Sequence, residues 1–98
     1  MSYRVSFSSV SGEKKFEKAL EDVFPSKLRL EIMKTIEALA VQPRPHGVLK
    51  LTPPLHLYDF IAHHRVRIGR YRVLYDVDDK RKIVWILALR KRDEKTYK

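Results

Sequence analysis

Midway along the chain the spacing of apolar side chains changes from three and four residues to two, which calls for helices first and a sheet after. Before the change, Phe16, Ala19, Leu20 and Val23 repeat as an amphipathic helix requires. Leu28, Ile32, Ile36, Leu39 and Ala40 then form a second stripe that stops near Gln42-Pro43. Between them lies a Phe24-Pro25-Ser26 corner, in which Pro25 ends the first helix and Ser26 is the expected N-cap of the second, so the two helices form a hairpin. Ahead of them, alternating Tyr3, Val5 and Phe7 predict a half-buried strand.

A Pro-rich stretch, 43–54, divides the halves. After it, Arg65-Val-Arg-Ile68 alternates cleanly, Gly69-Arg70 turns the chain, and Tyr71-Arg-Val-Leu-Tyr-Asp-Val77 returns antiparallel. Asp78-Asp79-Lys80 makes another turn, and Ile83-Val-Trp-Ile-Leu-Ala-Leu89, apolar on both faces, is expected to be the central buried strand. Residues 55–62 are β-prone and are expected to lengthen the first strand of the hairpin. The expectation is one α+β domain over residues 1–98: an N-terminal strand, a two-helix hairpin, then an antiparallel meander of about four strands in all, with the helices on one face. At 98 residues there is no room for a second core.

Charge narrows the partners. Lys and Arg number 21 against 12 Asp and Glu, a net +9 with a pI near 10.0. Residues 1–49 hold 8 basic and 6 acidic side chains (+2), whereas residues 50–98 hold 13 and 6 (+7). That concentration points to a polyanion bound by the second half, RNA above all. A membrane surface fits less well, because the basic residues fall on strands and not along one amphipathic helix. There is no cysteine, so disulfides and thiolate chemistry are excluded. No apolar leader opens the sequence and the longest apolar run, 83–89, is too short to span a bilayer, so a cytoplasmic location is expected. Gly-rich phosphate loops, HExxH and a Ser-His-Asp arrangement are all missing from the sequence, and no metal or small-molecule cofactor is expected.

The segment Arg65-Val-Arg-Ile-Gly-Arg-Tyr-Arg-Val-Leu-Tyr75, followed by the 83–89 strand and the tail Arg90-Lys-Arg-Asp-Glu-Lys-Thr-Tyr97, resembles the RelE/ParE superfamily of toxins over essentially the whole chain. The resemblance implies the toxin of a type II toxin-antitoxin pair. In its RelE-like branch it implies a ribosome-dependent endoribonuclease that cuts mRNA without metal, the RNA 2′-hydroxyl attacking the adjacent phosphorus. Its partners would be a cognate antitoxin and the ribosome with its mRNA. Two alternatives stay open: a ParE-like toxin acting on DNA gyrase, and a non-catalytic RNA-binding or antitoxin-binding member of the same fold.

Matched position by position, the family's catalytic residues fall on Arg65, Arg67, Arg72, a basic residue within 90–92 for which Arg92 is the favoured match, and Tyr97. Flanking RNA contacts are expected from Lys50, His64, Arg70, Arg90 and Lys91. The chemistry explains these residue types: a phosphorane gathers negative charge on its non-bridging oxygens, and a guanidinium donating two parallel hydrogen bonds favours that state. Tyr97 would stack on a base or assist proton transfer. The plain structural alternatives are an ion pair of Arg72 with Asp76 or Asp78, a wet edge-strand face for Arg65 and Arg67, a solvated Lys50, and an idle terminal Tyr97. His63 and His64, adjacent on a strand, point to opposite faces and cannot chelate one metal.

Overall fold

The computed structural model describes residues 2–45, 48–57 and 60–91, so the candidate residues Arg92 and Tyr97 lie outside the described residues. Chain order is β1 (Arg4–Phe7), α1 (Val10–Glu21), α2 (Lys27–Leu39), β2 (Leu49–Leu57), β3 (Phe60–Ile68), β4 (Tyr71–Asp78) and β5 (Ile83–Lys91). The five strands form one sheet in the order β1-β5-β4-β3-β2, antiparallel from β2 to β5, with β1 running parallel to β5. Helix α1 lies over β5 and β1, and α2 over β3 and β1, so the two helices cover one face.

Local chemistry sets these elements. Ser9, in an extended conformation, caps α1 by accepting a 2.9 Å hydrogen bond from the Gly12 amide, and Glu13 and Lys18 complement the helix dipole at the two ends. Ile32, Ile36 and Leu39 supply the buried stripe of α2. They meet Phe16 and Val23 from the first helical segment and Ile68, Tyr71, Val73, Tyr75, Val84, Ile86 and Leu89 from the sheet. Two tyrosines on β4 fasten the layers: the Phe24 amide donates to the Tyr71 hydroxyl at 3.1 Å, and the Tyr75 hydroxyl donates to the Pro43 carbonyl at 2.7 Å. The segment after α2 is also tied to the β4–β5 turn, where Asp79 accepts from Arg44 at 2.9 Å and from the Tyr3 hydroxyl at 2.7 Å.

The structure corrects four expectations. Among the described residues the sheet has five strands, not about four, because the proline-containing segment is itself β2 and residues 55–57 and 60–62 fall on two strands, β2 and β3, and not on one. Pro53 and Pro54 are tolerated because β2 is an edge strand, and the pairing is irregular between Lys50 and Leu55 around them. The middle strand is β4, not β5. The run 83–89 is apolar on both faces, yet Trp85, Leu87 and Ala88 stay half-exposed on the face the helices leave open. Finally, Ser26 stands at the start of α2 in a helical conformation and makes no side-chain cap; backbone bonds from Leu28 to Pro25 and from Arg29 to Ser26 close that corner instead.

Candidate RNA-binding face

Strand alternation sorts the basic residues. On β4, Tyr71, Val73 and Tyr75 belong to the core under the helices, so Arg72, Leu74 and Asp76 occupy the opposite, helix-free face. The two-residue turn at Gly69-Arg70, with Gly69 at a φ of 58°, sets a register in which Arg67 stands directly opposite Arg72. Arg72 in turn stands opposite Arg90 on β5. Directly opposed residues share a face and lie about 5 Å apart at Cβ, so Arg67, Arg72 and Arg90 form a row across three strands roughly 10 Å wide. Arg65 lies on the same face, two residues along β3 from Arg67.

The row has a graded exposure. Arg67 and Arg90 reach into solvent, Arg65 is half-buried, and Arg72 between them is only 7% exposed. Arg65 and Arg72 each interact with neighbours as well. Like charges set directly across a sheet repel, and an anion shared between them converts that repulsion into attraction. Of the alternative carboxylate partners for Arg72, Asp76 pairs through Oδ1 with His63 at 2.9 Å, and Asp78 pairs with Arg81. Four residues along an extended strand also put Asp76 roughly 13 Å from Arg72.

The flanking candidates divide. Arg90 belongs to the row, and Arg70 is exposed in the turn at the same end of the sheet. Lys91 pairs with Tyr71, and Lys50 pairs with His64, so both lie on the helix side of the sheet, away from the row. His64 is likewise turned from the arginines: its ring stacks on Tyr75 at 5.4 Å between centroids, and its Nδ1 is buried without a hydrogen-bond partner among the described residues. The histidine that shares the arginine face is His63, whose spacing of two from Arg65 and four from Arg67 carried that information. Among the described residues no cluster of His, Cys, Asp or Glu is arranged to hold a metal ion, and no helix is long and apolar enough to cross a membrane.

Burial, followed by the nearby Arg44 cation, pushes the His64 pKa below its ordinary value. The folded protein therefore binds this proton more weakly than the unfolded chain does. The contribution to stability is complete above the unfolded value of about 6.5 and is lost as the pH falls from there through the folded value. Thermal melts stepped from pH 7.5 to 5 should show Tm falling, and His64→Phe, which keeps a ring on Tyr75, should flatten that slope.

The comparisons agree with this architecture. Residues 10–96 match the family model described as the ParE toxin of the type II toxin-antitoxin system parDE. The structure is similar to a chain of the archaeal RelE–RelB complex from Pyrococcus horikoshii, with 31% identity, a TM-score of 0.71, and coverage of 96% of this chain and 99% of that one. It is similar in fold to a chain of the RelBE2 toxin-antitoxin complex of Mycobacterium tuberculosis (22% identity, TM-score 0.60, 94% of this chain and 100% of that one). A mutant of the E. coli toxin RelE in the free state gives 20% identity, a TM-score of 0.58, and coverage of 97% and 88%. No curated protein sequence matches the chain. With a family model spanning most of its length and a 31% identical structural relative over 96% of it, the chain belongs to the RelE/ParE superfamily and is a toxin of a type II toxin-antitoxin system.

Proposed function

We propose that this toxin is a RelE-like endoribonuclease that acts on mRNA held by the ribosome. The observation that carries the reading is the cross-strand row Arg67, Arg72 and Arg90 with Arg65 beside it, four guanidinium groups on one open face. In the reaction, the 2′-oxygen bonds to the adjacent phosphorus as the bond to the 5′-oxygen breaks. The 2′-hydroxyl proton leaves to a base, the departing 5′-oxygen gains one, and the products are a 2′,3′-cyclic phosphate and a 5′-hydroxyl. Negative charge peaks on the non-bridging oxygens between these events, where fixed guanidinium groups are worth most. Tyr97 is the candidate for stacking or proton transfer and Arg92 for a further phosphate contact. No step of the scheme calls on a metal or cofactor.

The relatives' complexes with their antitoxins support a cognate antitoxin as the partner of this chain, and action on ribosome-held mRNA would take place in the cytoplasm. A second reading, inhibition of DNA gyrase, has one observation in its favour: the matching family model is that of ParE. Induced expression distinguishes the two. The ribonuclease reading expects new 5′-hydroxyl ends within translated mRNA minutes after induction and unchanged plasmid supercoiling. Relaxed plasmid with intact mRNA would replace it with the gyrase reading.

A further inference from the structure

The arginine row occupies one end of the open face; at the other end is a pocket that the proposed chemistry does not use. It is lined by Ser8, Ile61, Asp76, Trp85 and Leu87 and is an open cavity of about 100 Å³, smaller than the sites that enclose drug-sized ligands and suited to one small planar group lying against its walls. Asp76 and Trp85 stand directly opposite each other on β4 and β5, so a carboxylate and an indole share one wall. The carboxylate is pre-set. Its Oδ1 accepts from His63 Nδ1 and from the Val77 amide, each at 2.9 Å, whereas no described residue donates to Oδ2. An indole with aliphatic walls and one outward-facing acceptor is the recognition set for an unstacked base.

Resting on the RNA reading above, we propose that this pocket takes a nucleobase of the strand whose phosphates meet the arginines, and that it favours bases with an exocyclic amine. The pocket and the row lie on the same sheet face, separated by roughly 13 Å along β4, so one extended strand reaches both. A carboxylate only accepts, which suits the amine of adenine or cytosine. Uracil offers one N–H flanked by two carbonyl oxygens, and the carboxylate repels those.

Trp85 is the chain's single tryptophan, so the pocket carries its own reporter. Whole protein is titrated with labelled, fully 2′-O-methylated pentamers of adenine, cytosine or uracil, which the proposed reaction cannot cleave, while Trp85 emission and oligonucleotide anisotropy are followed together. The expected result is saturable quenching, with adenine and cytosine pentamers binding about tenfold more tightly than uracil. Asp76→Asn should erase the preference, because an amide both donates and accepts, whereas Arg72→Ala should weaken all three alike. The wild-type series stands alone if Asp76→Asn fails to fold. Anisotropy changes with an unmoved Trp85 signal, equal affinity for uracil, or no binding of any pentamer would overturn the subsite and leave the ribosome-dependent reading to its own test, the new 5′-hydroxyl ends in translated mRNA.

Discussion

Arg72→Ala should lower the rate of RNA cleavage by about 10² to 10³, the usual loss when one pre-placed donor to a developing oxyanion is removed. The expectation comes from position. Arg72 is the middle member of the row, flanked on neighbouring strands by Arg67 and Arg90, and it is only 7% exposed. Shielding from water strengthens a charge interaction, and the strand spares the side chain most of the reorganisation that a surface arginine undergoes. Arg72→Lys keeps the charge but loses the planar fork, so it should recover only part of the rate. Single-turnover cleavage of mRNA on programmed ribosomes measures both. A melt of each variant separates chemistry from folding: relief of like-charge repulsion opposes the lost packing, and Tm should move by only a few degrees. Wild-type cleavage by a folded Arg72→Ala would remove Arg72 from the chemistry and the row from the mechanism.

That row shows how far a sequence can be read into a site. The Gly69-Arg70 turn is two residues long, and a two-residue turn determines which residues face each other, so the approach of Arg72 to Arg67 was legible from local chemistry alone. The place of Arg90 was not. It depends on how β5 docks on β4, and that pairing shifts register between Leu74 and Tyr75 for reasons that lie in the whole sheet. β2 was hidden by its prolines, which mark edge strands as readily as loops. The parallel docking of β1 on β5 is a long-range pairing with no local signature. The histidines are the instructive case: of two adjacent histidines beside a basic strand, alternation alone puts His63 with the arginines and His64 under the helices.

The helix layer that holds the sheet's other face is where the largest effect on stability is expected, at Ile32. Its side chain is fully buried in the middle of α2, within the cluster that includes Tyr71, Val73 and Tyr75 from β4. Ile32→Ala removes buried methyl and methylene groups and leaves a cavity, at a cost of about 2–5 kcal/mol. Alanine is the better helix former, so helix propensity works against the loss and cannot be its cause. At roughly 4–8 °C per kcal/mol for a domain of this size, Tm should fall by about 8–40 °C. Leu30→Ala is the matched control: Leu30 lies on the same helix but is 60% exposed, and its replacement should change stability by no more than about 0.5 kcal/mol. The pair also separates scaffold from site. Because the arginines stand on the strands whose other side packs in this cluster, Ile32→Ala should lose cleavage only as it melts and keep near wild-type rates well below its Tm, whereas Arg72→Ala should be slow at every temperature. Equal melting of Ile32→Ala and wild type would show that α2 does not hold the sheet.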